Sequence, residues 1–247
     1  MPRLLPLLAF PLLVACVTAR EAERARAQVD LGAAYLKEGS TESAIASLTE
    51  ATRLDPRSWA AWSHLGMAMW AKGRPEQAEE ALRKAVRLAG GRAEPHLNLG
   101  VVLFGQGRVD ESIAQYEAAL QDLTYRKPAL VLNDLGFALY ARGEYERAEA
   151  VLAEAVERAP NFCPARFNLG LVQRARQDAA AALATFDRVL AICPDEAVGA
   201  YFQAGTLLLD GGETARGATY LEQVLERAPD TEAARAAAVR LQEAGLR

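Results

Sequence analysis

The sequence is poor in the side chains that most often build metal and acid–base sites, with two histidines and three cysteines among 247 residues. His64 and His96 stand apart, and neither belongs to a motif with metal-ligand spacing. We therefore interpret both histidines as packing residues. No catalytic constellation or phosphate-binding glycine loop is recognisable. The sequence predicts a protein that is not an enzyme and that needs no cofactor, metal or small-molecule substrate.

An excess of positive charge is also missing. The chain has 28 basic and 32 acidic residues, with a formal net charge of −4. Nucleic-acid binding normally requires clustered lysines and arginines, so we expect no nucleic-acid partner. Aromatic residues make up only 7% of the chain while alanine is abundant, a balance that favours closely packed helices over a β-sandwich.

The N-terminal apolar stretch is too short to span a membrane. It runs over eleven residues from Leu4 to Val14, whereas a spanning helix needs about 20. Arg3 precedes the stretch and the small residue Ala15 follows it, as in the basic region, apolar region and cleavage site of a secretory signal. We therefore predict that residues 1–15 are a signal peptide.

The residues LVAC that end this stretch resemble the lipobox of bacterial lipoproteins. The resemblance implies that Cys16 is acylated after residues 1–15 are removed, and that residues 16–24 form a lipidated linker. Val17 at the second mature position favours the outer membrane by the same resemblance. An ordinary signal peptide with a chance cysteine, or a buried N-terminal segment, is the alternative.

The most informative pattern is an internal repeat. A leucine–glycine pair recurs at intervals of 34 to 36 residues, with glycines at Gly32, Gly66, Gly100, Gly136 and Gly170, and more loosely at Gly205. In five copies a second glycine comes seven residues after the first. In all six copies a small residue comes twelve residues after the first glycine. A large apolar residue comes four positions beyond that small residue. Agreement at several positions across six copies indicates one repeated unit.

These positions resemble the tetratricopeptide repeat, whose unit is a pair of antiparallel helices. The resemblance implies an all-α fold, a right-handed superhelical solenoid of six repeats with a C-terminal capping helix. The repeats are predicted at residues 25–58, 59–92, 93–126, 129–162, 163–196 and 198–231, and the capping helix at 232–247.

Two local features complete this prediction. The stretch LTYRKPA at 123–129 adds Lys127 and Pro128 between the third and fourth repeats, and we expect Pro128 to end the preceding helix. Asp230 is the expected N-cap of the capping helix.

Cys163 and Cys193 are candidates for a disulfide. They are predicted to lie at the start of the first helix and at the end of the second helix of the fifth repeat. An antiparallel hairpin brings those two ends together, and export would place the pair in an oxidising compartment. Two buried free thiols are the alternative.

The resemblance also implies a concave groove lined by the first helices of the repeats. The corresponding positions form a largely apolar and aromatic set: Val29, Leu36, Met67, Trp70, Leu97, Val101, Phe104, Asn133, Phe137, Tyr140, Phe167, Leu171, Arg174 and Phe202. Such a stripe is expected to bind an extended or amphipathic peptide. Packing of some of these residues against neighbouring helices is the alternative.

The lipobox and the repeats together resemble the type IV pilus pilotins, the PilF/PilW/Tgl-type lipoproteins. The resemblance is strongest at residues 119–156, which include the inserted Lys127 and Pro128. This resemblance implies a lipid-anchored protein on the periplasmic face of the outer membrane. It would bind secretin subunits and promote secretin insertion and assembly. The alternatives are a periplasmic lipoprotein adaptor that recruits peptidoglycan enzymes and a component that assists outer-membrane protein assembly.

Overall fold

The computed structural model describes residues 10–195 and 197–246. This part of the chain contains thirteen α-helices and no β-strand. Side chains are described for residues 19–195 and 197–246. The helices are α1 Phe10–Lys37, α2 Thr41–Leu54, α3 Trp59–Ala71, α4 Pro75–Ala89, α5 Ala93–Gly105, α6 Val109–Ala119, α7 Pro128–Arg142, α8 Tyr145–Arg158, α9 Cys163–Ala175, α10 Ala179–Ile192, α11 Val198–Asp210, α12 Thr214–Arg227 and α13 Glu232–Glu243.

Consecutive helices pair into six hairpins, which fall into two compact units. The first unit, Met1–Tyr125, contains α1 to α6, and the second, Arg126–Arg247, contains α7 to α13. Within each unit the second helix of one hairpin packs on the first helix of the next, and α13 packs on α12. The predicted all-α class, built from helical hairpins and ending in a C-terminal helix, is confirmed.

The first glycine of each repeat leaves room for a large side chain from the second helix. A Cβ atom on Gly66 would lie 2.5 Å from Cγ of Leu82 and 3.0 Å from the carbonyl oxygen of Ala78. Leu82 is fully buried, so any side chain at position 66 would have to displace a core residue. The pairing of this glycine with the large apolar residue explains why both recur in the sequence.

The second glycine of the repeat ends the first helix. Gly73 has φ +74°, its N–H donates to the carbonyl of Trp70, and the N–H of Arg74 donates to the carbonyl of Met69. The fifth repeat has Gln177 at this position with φ +65°. A side chain disfavours this left-handed conformation by roughly 1–2 kcal/mol, so the tertiary packing of the hairpin must hold Gln177 in place.

The first helix begins earlier than the sequence predicted. It runs unbroken from Phe10 to Lys37, so the predicted linker at 16–24 is helical. Residues 19–28 consist mainly of alanine, glutamate and arginine, which are strong helix formers, and they contain no signal to delay the helix. Residues 1–9 and the side chain of Cys16 lie outside the described part of the chain. Among the described helices, none combines the length and the apolarity that crossing a bilayer requires.

The prediction that Pro128 ends a helix is wrong. α6 already ends at Ala119, and Pro128 is the first residue of α7. A proline is tolerated there because the first N–H groups of a helix have no partner within it. Asp122 shapes the intervening turn, since its carboxylate accepts hydrogen bonds from Thr124 Oγ1 at 2.6 Å and from the N–H of Ala93 at 3.0 Å. These bonds, the one from Thr124 above all, lower the pKa of the Asp122 carboxyl.

The capping helix is also started by a different residue from the one predicted. Thr231, not Asp230, is the N-cap of α13, and its hydroxyl accepts a hydrogen bond from the N–H of Ala234 at 3.2 Å. One face of α13 buries Leu241 against Leu221 and its neighbours, while residues such as Arg235 face outward. This helix therefore covers the apolar face of the last hairpin.

Candidate partner-binding surface

In the first unit the predicted groove residues are packed against the core. Met67 and Trp70 lie half-buried on a cluster that includes Leu82 and Leu99. The Trp70 indole lies over Gly105, where a Cβ atom would collide with the ring. Val101 and Phe104 on α5 are half-buried as well. Their outer faces offer apolar surface, but much of each side chain stabilises the fold.

In the second unit an aromatic row runs from the second half of α7 to the first residue of α8. Phe137 is 37% exposed, and its ring centroid lies 6.1 Å from that of Tyr140, with the planes 28° apart. Tyr140 continues the row to Tyr145 on α8, at a centroid distance of 5.8 Å. Tyr145 was not part of the predicted groove, because it belongs to the second helix of its repeat.

The remaining groove candidates of the second unit contribute to the core as well as to the surface. The Phe167 and Phe186 ring centroids lie 5.7 Å apart, and Phe186 is fully buried. Leu171 packs on the same cluster, and Phe202 packs on the cluster between α12 and α13. The three groove candidates Phe167, Leu171 and Phe202 are half-buried. Substituting them would therefore disturb folding as well as binding.

Three of the predicted groove residues are corrected to the interior. Leu97 is 5% exposed, and Val29 and Asn133 are each 8% exposed. The rotation of the first helices turns these residues into the packed interior. They offer little surface to a partner, whereas Leu36 remains half-buried.

Polar side chains link the first helices of neighbouring repeats. Asn98 Nδ2 donates to Ser63 Oγ at 2.9 Å in the first unit, and Asn168 Nδ2 donates to Asn133 Oδ1 at 2.9 Å in the second. Arg174 similarly donates to Gln203 on the next repeat. Of these residues only Asn133 and Arg174 were among the candidates. For Asn98 and Asn168 the signal was an asparagine directly before the leucine–glycine pair in the third and fifth repeats.

Asp134, the neighbour of Asn133 in the sequence, has a carboxyl group with a raised pKa. It accepts a hydrogen bond from Asn133 Nδ2 at 2.9 Å. Burial raises the pKa of the Asp134 carboxyl, and the bond from Asn133 opposes that rise only in part. A half-buried carboxyl with one amide partner favours protonation or an approaching cation.

The repeated units match a known family of sequences. A profile described as tetratricopeptide repeat matches residues 29–93 and 133–197, which together make up more than half of the chain. Further profiles of the same description match residues 91–161 and 199–231. The chain is a tetratricopeptide-repeat protein.

Solved structures share this fold over most of the chain. PilF of Pseudomonas aeruginosa aligns with 89% of this tetratricopeptide-repeat chain and 99% of its own, at 21% identity and a TM-score of 0.78. PilW, a widely conserved type IV pilus biogenesis factor, aligns with 86% of this chain and 97% of its own, at 22% identity and a TM-score of 0.80. YrrB, a tetratricopeptide-repeat protein with an unusual peptide-binding site, aligns with 77% and 96%, at 21% identity and a TM-score of 0.59. A search of curated protein sequences gives no match.

The structure joins Cys163 and Cys193 in a disulfide. Their Sγ atoms are 1.99 Å apart and their Cα atoms 6.6 Å apart. The bond connects the first residue of α9 to the residue that follows α10. It lies beside Phe186 and Val189, at the wall of a cavity of about 340 Å³.

Each histidine lies beside a polar side chain of the described structure. His96 Nδ1 is hydrogen-bonded to Gln115 Oε1 at 2.8 Å, and His64 Nε2 lies 3.9 Å from a Glu94 carboxylate oxygen. Within the described residues no three His, Cys, Asp or Glu side chains are placed to share a metal ion. What these surfaces offer is contact area and hydrogen bonds, which suits binding of another protein.

Proposed function

We propose that this protein is a lipid-anchored, pilotin-like binding protein of type IV pilus biogenesis. It holds secretin subunits on its repeats at the periplasmic face of the outer membrane and promotes their insertion and assembly. The observation that carries the proposal is the match in fold with PilW, which extends over 86% of this chain and 97% of the pilus biogenesis factor. Tetratricopeptide repeats generally act as non-catalytic scaffolds, which is consistent with this role.

The aromatic row Phe137–Tyr140–Tyr145 is the surface we assign to the partner. Aromatic side chains supply most of the binding energy in many interfaces, and one well-placed ring contributes about 2 kcal/mol or more. The rings already touch one another, so little side-chain entropy is lost when a partner covers them. An apolar or amphipathic segment of a secretin subunit would satisfy this surface.

The membrane anchor of the proposal is Cys16. It rests on the resemblance of LVAC to a lipobox. A lipid on Cys16 would belong to α1, the helix that also forms the first half of the first repeat. The anchor would thus hold the repeats close to the membrane surface, where newly arrived secretin subunits insert.

The test of the binding surface is Phe137→Glu, which places a charge in the most exposed ring position of the row. We expect loss of secretin multimers in membranes, because a partner would have to desolvate the new carboxylate. Val239→Glu is the matched control, since Val239 on α13 is 52% exposed and lies outside the row. Both variants should keep the helical circular dichroism of the parent protein.

Two results would contradict the proposal. Normal secretin multimers and pilus-dependent motility in a deletion strain would exclude a pilotin role. Capture of peptidoglycan enzymes by the full-length lipidated protein, without secretin, would favour the adaptor alternative. Normal multimers with Phe137→Glu alone would show instead that the partner uses another surface.

A further inference from the structure

The second unit contains a cavity that none of the proposed partner-binding residues lines. Its volume is about 400 Å³, and it lies between the segment that starts α7 and the turn from α8 to α9. The lining residues are Arg126, Lys127, Pro128, Ala129, Leu130, Arg158, Ala159 and Phe162. Cavities of this size accommodate a large side chain or a small ligand.

The wall of this cavity combines an apolar floor with cations. Pro128, Leu130 and Phe162 provide the apolar surface, and Arg126, Lys127 and Arg158 provide the positive charge. No acidic residue is among the described residues that line it. The Arg158 guanidinium lies 2.7 Å from the carboxylate of Glu154, which is outside the lining. Arg126 and Lys127 are exposed and form no ion pair with any described residue.

A further arginine with an unused donor lies at the same turn. Arg166 Nη2 donates to the carbonyl oxygen of Pro160 at 2.9 Å, and Pro160 stands between the two lining residues Ala159 and Phe162. The Nε atom of Arg166 is buried and has no acceptor among the described residues. Burial, and then the nearby Arg188 guanidinium, lower the pKa of Arg166. Apart from Arg158, which pairs with Glu154, the cations around this turn have no anionic partner among the described residues.

We propose that this cavity binds a peptide segment in which a large apolar side chain stands next to a carboxylate. The apolar side chain would enter between Leu130 and Phe162, and the carboxylate would face Arg126 and Lys127. Guanidinium and ammonium groups at the rim of an apolar pocket suit this pair of groups, since each half of the ligand finds a complementary surface. The site is independent of the aromatic row and of the pilotin proposal.

A peptide fits these observations better than a lipid headgroup. A headgroup alone would use the cations and leave the apolar floor exposed. A carboxylate on a peptide can come from an internal aspartate or glutamate or from a free C-terminus, and both sources present the same chemistry to the rim. The binding experiment therefore includes both.

The experiment uses the full-length chain in detergent micelles and fluorescent peptides in anisotropy titrations. The parent probe is an amidated glycine–serine peptide with a central Leu-Phe-Asp-Glu segment. A second probe carries Leu-Phe-Asn-Gln instead, a third carries Ala-Ala-Asp-Glu, and a fourth ends in Leu-Phe with a free carboxylate. We expect saturable binding of the parent or the fourth probe, and at least about tenfold weaker binding of the second and third.

Three variants connect this binding to the cavity. Arg126→Glu combined with Lys127→Glu should weaken binding at least about tenfold, and Ala159→Leu should weaken it by filling the space without changing charge. Arg235→Glu, an exposed charge reversal on α13, should leave binding unchanged. Equal binding of the acidic and carboxamide probes, or unchanged binding by the cavity variants, would overturn the proposal. So would cavity-dependent binding to phosphatidylglycerol vesicles without any binding of the peptides.

Discussion

Gly66 shows how one position in this chain is determined by a contact from the next helix. Gly66→Ala would place a methyl group 2.5 Å from Cγ of the buried Leu82. We expect the free energy of unfolding to fall by about 1–3 kcal/mol, as for other overpacked core positions. Urea unfolding followed by circular dichroism measures the change.

A double variant provides the control for this contact. Leu82→Ala removes the atoms with which the new methyl group collides, so Gly66→Ala should be less destabilising in that background. Equal effects of Gly66→Ala in both backgrounds would mean that the loss comes from elsewhere, for example from the Ala78 carbonyl oxygen.

Asp134 should make the stability of the protein depend on pH in a definite direction. Its folded-state pKa is raised, so the folded protein holds this proton more tightly than the unfolded chain. Stability from this group is full below the unfolded pKa, near pH 4, and is lost as pH rises through the folded pKa. Asp134→Asn should therefore be more stable than the parent at pH 7.

The difference between Asp134→Asn and the parent should shrink toward zero as the pH falls to about 4. Urea midpoints measured across this range test the prediction. A variant that is less stable than the parent at neutral pH would show that the ionised carboxylate, through its bond with Asn133, stabilises the fold.

At the level of the helical hairpin, the fifth repeat differs from the others in its disulfide. The bond closes a segment with a sequence separation of 30 residues. Such cross-links typically stabilise a protein by about 2–4 kcal/mol, largely by restricting the unfolded chain. Combined Cys163→Ser and Cys193→Ser should lower the free energy of unfolding by that amount.

Reduction of the parent protein gives an independent measurement of this stabilisation. Dithiothreitol should lower the urea midpoint of the parent to near that of the double serine variant and should leave the variant unaffected. A parent midpoint that does not change under full reduction would show that hairpin packing alone fixes the fifth repeat.

The hairpins were predictable because each is specified by residues that recur at a fixed interval. The leucine–glycine pair and the large apolar residue fix both the helices and their contact. The structure differs from the prediction at segments that are not part of the repeated pattern. The turn before Pro128 depends on Asp122, whose carboxylate binds the N–H of Ala93 at a distance of 29 residues along the chain. The N-cap at Thr231 depends on a local choice between two adjacent capping residues, Asp230 and Thr231.

The candidate surface was only partly predictable for a related reason. Repeat position distinguishes first-helix residues from second-helix residues, but it does not set how far each helix is rotated. Phe137 and Asn133 are four residues apart and lie on nearly the same face of α7, yet Phe137 is exposed and Asn133 is buried. Tyr145 joins the aromatic row from the neighbouring helix, a contact that requires the three-dimensional packing to be known.

At the level of the whole molecule, the proposed function needs two properties that different parts of the chain supply. In this proposal the repeats provide a binding surface, and a lipid on Cys16 would provide attachment to the membrane. A binding surface without an anchor would still recognise its partner but would no longer concentrate it at the outer membrane. Variants that remove one property and retain the other therefore separate the two parts of the proposal.

Cys16→Ser is the variant that removes only the proposed anchor. Lipid attachment stabilises membrane association by about 0.8 kcal/mol for each buried methylene group, so its loss should release the protein into the soluble periplasmic fraction. Phe137→Glu and the combined Cys163→Ser and Cys193→Ser variant should both stay in the membrane fraction, because each retains Cys16. Fractionation followed by immunoblotting measures this distribution. Membrane association of Cys16→Ser equal to that of the parent would show that another segment of the chain holds the protein at the membrane.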